Sequence, residues 1–317
     1  MTKPFSRFAA LAAAASLLCS CAAPDAEPGL SEEASAELAP ETESASVAAD
    51  LAACRYDDAL DRALKERTYG IADYIAEYVM ETDELLAFVA AHYPNAPEDS
   101  APAENADGEI SGAANEAANA VRYALARRLM RENLPQRSRE FFPRELRPVF
   151  DAYVEAIRRG YDFEADDVSR ARGFWDAAVI VRGNGDALFS LFSVPEFVET
   201  KEFATDDERD RVLSRGISEP VLSVRQRAAN LARFAAGLLP NNDERTARLL
   251  FTAGVWLRAR DDKAAEEFYK TLVIRCPKTE VGRRCIALRW LPSDVPWTRE
   301  QAWDGVPAAE DAGAATR

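Results

Sequence analysis

The sequence predicts an all-α fold, on three observations. Apolar residues recur with a period near 3.6: Ile71, Tyr74, Ile75, Tyr78 and Val79 share one helical face, prolonged by Leu85, Leu86 and Val89. No apolar–polar alternation long enough for a strand occurs, and no Asn-Gly turn separates two such runs. The periodic windows follow one another at the spacing of short antiparallel helical hairpins. Helices are expected over 50–66, 70–92, 115–132, 146–159, 166–182, 206–216, 221–238, 243–259, 263–276 and 279–290. Pro94 closes the second, and Gly183-Asn184-Gly185 reads as the C-terminal stop of the fifth.

Composition narrows the class. The 317 residues include 39 basic and 54 acidic side chains, a net charge of −15, and one histidine, His92. An apolar share of 48% and a charged share of 29% exclude both wholesale disorder and a polytopic membrane protein. The acidity is uneven: residues 25–116 carry 23 acids and 4 bases, whereas 117–317 carry 31 and 33. A nucleic-acid partner is not expected, because such a partner needs clustered cations to release phosphate counterions. One histidine leaves little room for a catalytic triad or a histidine metal site.

Lys3 and Arg7 precede an apolar run, Phe8 to Leu18, that is too short to span a bilayer. Leu18-Cys19-Ser20-Cys21 follows directly. This resembles the lipobox of bacterial lipoproteins, with Leu18 three positions before the cut and small Ser20 just before it. Cys19 departs from the small residue usual there. The resemblance implies a signal peptide over 1–20, lipidation of Cys21, and anchoring by several acyl chains. Ala22 stands where an inner-membrane retention aspartate is found in such proteins. The implied location is the outer membrane of the cell envelope, facing the periplasm.

Residues 21–49 read as the lipidated cysteine and an acidic tether, with eight acids from Asp25 to Asp50 and no base. As a flexible coil it would reach on the order of 30 Å. An N-terminal helical hairpin is expected over 50–93, a second acidic, Pro- and Ala-rich loop over 94–114, and an irregular helical region over 115–220. Repeats are expected over 221–292, followed by a frayed tail over 293–317.

The repeat signal rests on small residues, aromatics and prolines at fixed spacing. Counted from Thr246, Ala253 is the small residue of a first helix and Trp256 its aromatic. Ala265 and Tyr269 follow in the second helix, and Pro277 ends it. Ala287 and Trp290 repeat Ala253 and Trp256 one 34-residue period later, and Pro292 truncates that unit. Upstream, Ala228, Ala232, Ala235 and Pro240 copy the second-helix spacing, and Ala126, Leu129, Ser138 and Phe142 form a weaker copy. The pattern resembles the tetratricopeptide repeat, which implies a solenoid of stacked helical hairpins with a concave face for peptides or proteins. The first-helix positions that would line that face are Ala247, Leu250, Gly254, Leu257 and Arg258. Only the last is polar, so the face is expected to be covered or to take something apolar.

Signatures of chemistry are sparse. The chain has no GxGxxG after a strand, no GxxxxGK[ST] and no GxSxG. Asp107-Gly108-Glu109 resembles the middle of an EF-hand loop, but Ala103 and Ala114 stand where principal ligands belong. His92 reads as a helix C-terminal residue. Neither a cofactor nor a metal is expected. Cys276 and Cys285 are candidates for a disulfide stapling the last repeat, or for buried free thiols. The arginines of 122–147 form either a solvated, ion-paired helix face or, through Arg122, Arg127, Arg128 and Arg131, a dock for an acidic segment. The expected role is a non-enzymatic, lipid-anchored module that binds other envelope proteins. The alternative is an envelope glycan binder or peptidoglycan hydrolase, with Trp175, Trp256, Trp290, Trp297 and Trp303 stacking on sugars; its lytic Glu-Ser signature occurs only at Glu43-Ser44, inside the tether.

Overall fold

The computed structural model describes residues 46–95, 112–190, 203–214, 223–292, 297–298 and 301–304. The signal segment, Cys21, nearly all of the tether and most of the 94–114 loop lie outside the described residues. All regular structure among those described is helical.

The tether ends earlier than the composition predicts. Ser46 accepts a hydrogen bond from the Ala49 amide and starts α1 (Val47–Ala52), which buries Val47 and Leu51. The predicted 50–66 helix is broken at Cys54, whose φ of 54° leaves the helical region, and resumes as α2 (Tyr56–Lys65). The predicted 70–92 helix is also two. α3 (Tyr69–Tyr74) runs into a π-turn, Ile75–Val79, and Met80 is extended before α4 (Thr82–His92). Reciprocal hydrogen bonds between Glu81 and Glu84 start α4, which is why one continuous apolar stripe yields two helices.

α5 (Gly112–Arg131) is followed by three 3-10 turns, Pro135–Arg137, Arg139–Phe141 and Arg144–Leu146, then by α6 (Arg147–Gly160) and α7 (Asp167–Phe189). α7 runs straight through Gly183-Asn184-Gly185, so these residues are not a stop. Gly185 is a contact point: a Cβ there would stand 2.4 Å from Val224 Cγ1. α8 (Asp206–Ser214), α9 (Val224–Leu238), α10 (Glu244–Arg258), α11 (Asp262–Arg275) and α12 (Glu280–Leu288) complete the predicted set. One further turn of helix, α13 (Gln301–Asp304), lies in the stretch expected to fray, and its Ala302 and Trp303 are buried.

Two apolar clusters form the core. The first joins α1–α4, one face of α5 (Val121, Leu125, Leu129) and Val212 of α8. The second joins the opposite face of α5 (Ala126, Met130) to α6, α7 and α9–α13. From α6 onward the helices form two rows. α6 packs on α7, α7 on α9, α9 on α10, α10 on α11 and α11 on α12. In one row α5 touches α7 and α10 touches α12, while Trp175 of α7 stacks on Trp256 of α10 at 5.7 Å and 8°. In the other, Arg233 of α9 lies over the Phe268 ring of α11 at 4.5 Å.

Of the predicted repeat-core residues, Ala228, Ala232, Ala253 and Ala265 are fully buried. Trp256, Tyr269 and Trp290 are half-buried against the core, and Pro277 is half-buried in the α11–α12 turn. Ala287 departs from the prediction: it is exposed. The register explains why. Asn242 Oδ1 accepts from the Lys278 amide (3.0 Å) and Glu244 Oε2 from the Glu280 amide (3.2 Å), so neighbouring turns match across 36 residues, not 34. α12 then ends at Arg289 (φ 53°), which places Trp290 beyond the helix, 5.5 Å from Tyr269.

Candidate binding cleft

α10 and α12 begin alike. Asp243 caps α10 by accepting from the Thr246 amide (3.0 Å), and Thr279 caps α12 by accepting from the Gly282 amide (2.9 Å). The matched starts set Glu244 beside Glu280, and Arg284 stands one 36-residue interval after Arg248. These four side chains, with Phe251, Val281, Pro292, Trp297 and Gln301, line a cleft of about 350 Å³. Glu244, Arg248 and Phe251 stand at i, i+4 and i+7, one stripe of α10. The stripe predicted from the repeat pattern is a different one: Ala247, Leu250, Gly254 and Leu257 are buried, and Arg258 donates to the Leu291 and Pro292 carbonyls.

The cleft is mixed in chemistry. Arg248 lies 5.0 Å over the Trp297 ring and within 4.0 Å of Glu244. Trp297 meets Phe251 edge-on at 5.3 Å and donates its indole N–H to Thr252 Oγ1 at 3.1 Å. Two acids, two guanidiniums and two rings can pair with charges and stack on a side chain; the lining holds no serine, threonine, cysteine or lysine.

The arginine set does not form a docking surface. Arg122, Arg127 and Arg128 are buried, and Arg131 nearly so. Arg122 donates to the carbonyls of Tyr93 (2.8 Å), Pro94 (3.2 Å) and Glu140 (2.8 Å). Arg128 donates to Ala76 O (2.6 Å) and Met80 O (2.8 Å), the carbonyls around the π-turn. Arg131 pairs with Glu77 and donates to Ser190 O (3.0 Å), and Arg127 lies 4.2 Å over the Tyr123 ring. A dock for an external acidic segment needs accessible guanidiniums, and these are spent inside the protein. Burial pushes the Glu77 carboxyl up and the Arg131 guanidinium down, and their pairing opposes both shifts. Asp73, one turn before Glu77, is pushed up to about 7 by burial, against the pull of Arg127.

Cys276 and Cys285 are free, buried thiols, so the staple is not formed. Burial raises both, Cys285 to about 11, which keeps them protonated and unreactive. His92 is exposed at the end of α4, its ring stacked 4.5 Å from Phe88. Among the described residues no group of three or more His, Cys, Asp or Glu side chains is placed to hold a metal ion, and no helix is long and apolar enough to cross a membrane. No protein-family model, curated protein or solved structure shows a significant match to this chain.

Proposed function

We propose that this chain is a lipid-anchored, periplasm-facing interaction module of the bacterial envelope, built as a tetratricopeptide-like solenoid. The cleft between α10 and α12 is its binding site, for an extended segment of another envelope protein. The carrying observation is the repeated pair of charges, Glu244 with Arg248 and Glu280 with Arg284, presented at equal register on successive helices beside Phe251 and Trp297. Equal register along a row of helices is what an extended chain requires, because its own charges recur at a fixed step. The lipobox-like Leu18-Cys19-Ser20-Cys21 supplies the anchor and the acidic tether the stand-off.

The glycan or hydrolase reading draws less support. Trp175 and Trp303 are buried, Trp256 is stacked on Trp175 and Trp290 packs on Tyr269, leaving Trp297 as the tryptophan that lines the cleft. Sugar binding on several rings would need them open in one place.

The test is site-specific photocrosslinking in intact envelopes of the producing bacterium. A photoreactive residue at exposed Glu280 is expected to yield a discrete protein adduct, and one at exposed Ile274 none. The Glu280 adduct should vanish when Arg248 and Arg284 are both changed to Glu. Peptidoglycan fragments at Glu280 in place of protein would overturn the reading.

A further inference from the structure

Residues 297–298 and 301–304 lie along the same row of helices as the cleft and are seated much as a bound peptide would be. Trp297 is fixed by Thr252, Phe251 and Arg248 of α10. Six residues on, Trp303 is 7% exposed, its ring 5.5 Å from the Arg172 guanidinium of α7 and 5.7 Å from that of Arg245 of α10. Asp304 accepts from Arg172 Nη1 at 2.5 Å, and the Gln301 carbonyl accepts from Arg248 Nη1 at 3.3 Å. The segment is shaped from within: Thr298 and Gln301 exchange hydrogen bonds, the Thr298 amide to Gln301 Oε1 (2.9 Å) and the Gln301 amide to Thr298 Oγ1 (3.2 Å).

The anchors are therefore two indoles and one carboxylate, received by three guanidiniums and a hydroxyl on α7 and α10. Contacts of this kind are individually modest. The segment also borders open volume, since Trp297 and Gln301 line the cleft that Glu280 and Arg284 share from α12. An incoming chain can start at the α12 end and displace the segment from Trp297 onward.

We infer that residues 297–298 and 301–304 act as a built-in pseudo-ligand. They occupy in cis the face that a partner occupies in trans, and that partner presents two aromatic side chains about six residues apart followed by a carboxylate. The inference rests on the interaction-module reading and adds to it the chemistry of the partner and a competitor that sets its affinity. A face occupied by its own segment about nine-tenths of the time binds an outside copy about tenfold more weakly than a vacant one.

The probe is a fluorescein-labelled synthetic peptide of residues 295–306, titrated by anisotropy onto the lipid-free chain from residue 22. Binding to the Trp297→Ala/Trp303→Ala variant should be at least about tenfold tighter than to the unsubstituted chain. Adding Arg172→Glu and Arg245→Glu to that variant should abolish it. Because Trp303 is buried, Asp304→Lys serves as a milder release variant, for which a several-fold gain is expected. Equal affinity for the unsubstituted chain and Asp304→Lys, or no binding to a double variant that keeps its helical circular dichroism, would overturn the inference. The two readings fail separately. Persistent Glu280 crosslinks without peptide binding would sink the pseudo-ligand alone. Peptide binding in the release variants without any envelope crosslink would sink the interaction module and the partner chemistry drawn from it, leaving only the self-occupied face.

Discussion

The two cores are built by different means. Every buried charged side chain among the described residues belongs to the N-terminal region or the helices that close it: Asp50, Glu77, Arg122, Arg127, Arg128 and Glu208. From α9 onward the buried polar side chains are three threonines, Thr246, Thr252 and Thr279, set in a core rich in alanine. The difference follows from how the helices end. α9, α10, α11 and α12 each start on a Ser, Asp or Thr that accepts from their first-turn amides, so the chain satisfies itself locally and small side chains let helices close in. α3 unwinds into a π-turn and Met80 is extended, leaving carbonyls that need donors from elsewhere. Arginine is suited to that task, because its fork reaches two carbonyls at once, as Arg128 does with Ala76 and Met80. Regularly capped helices can do without buried charge; an irregular junction cannot.

The sharpest way to break this comparison is at Glu77. Its carboxylate is the acid paired with Arg131 in the buried cluster, and its Oε1 has no hydrogen-bond partner among the described residues while Oε2 meets the guanidinium. Glu77→Ala leaves Arg131 buried and unpaired beside Arg127 and Arg128, so a loss of about 3–5 kcal/mol is expected, read by urea unfolding monitored by circular dichroism. Glu77→Ala together with Arg131→Met should recover much of that loss, since the pair's absence costs less than half a pair. A double variant no more stable than the single would mean that the cluster is not acting as a charge pair.

In the C-terminal core the largest effect comes from volume, not charge. A Cβ on Gly282 would stand 1.8 Å from the Cys276 carbonyl oxygen, a backbone atom that cannot step aside alone. Gly282→Ala should destabilise by roughly 1–3 kcal/mol by forcing α12 off α11, and should also open the cleft, detectable as faster hydrogen exchange in α12.

Arg275 sharpens the contrast from the other side, as a guanidinium of the C-terminal core that serves carbonyls. It donates to Ala236 O (2.8 Å), Leu239 O (2.7 Å) and Asn241 Oδ1 (2.8 Å), closing the C-terminus of α9 from α11. Arg275 is itself only half-buried and its Asn241 partner is exposed, so Arg275→Met should cost only about 1–2 kcal/mol, less than either change above. A melting-temperature drop as large as that of Glu77→Ala would erase the distinction between the two regions.

How much of this was legible follows the same division. The helices from Val224 to Leu288 were readable because each starts on a capping residue, Ser223, Asp243, Asp261 or Thr279, whereas the predicted stop in α7 and the missed α13 lie outside that stretch. The 34-residue alignment nonetheless misplaced Ala287, because Ala and Trp spacing recurs in many registers and only the turn-to-turn hydrogen bonds select 36. The arginines were misread as surface because many of their acceptors are main-chain carbonyls, at the π-turn for Arg128, after α4 and at Glu140 for Arg122, and past α7 for Arg131, which leave no mark on side-chain periodicity. The burial of Trp303 was invisible for a related reason: the guanidiniums that receive it come from α7 and α10, far away in sequence. The cleft was half legible. α10 was identified as a first helix of the repeat, but the stripe that faces outward is the charged one.

The gentlest probe of the N-terminal cluster is pH. Burial holds the Asp73 carboxyl at about 7 in the folded protein, against an ordinary value of 3.8, with the Glu77 carboxylate adding to the rise and Arg127 opposing it. Between those two values the folded chain keeps a proton that the unfolded chain releases, so this group's stabilisation is complete below the lower value and is lost as pH rises through the upper one. Acids such as Asp151 and Asp207, lowered by Arg139 and Tyr56 respectively, slope the other way at low pH and mask the trend in the unsubstituted protein alone. They cancel in a difference. The melting temperature of Asp73→Asn minus that of the unsubstituted chain should therefore increase from pH 5 to pH 8, because asparagine mimics the protonated acid at every pH. The same difference measured in an Arg127→Met background should be larger, since the guanidinium that favours the Asp73 carboxylate is gone. A difference that stays flat across that range would place Asp73 in water rather than at the edge of the buried cluster, and would confine the charged core to Glu77 and its arginines.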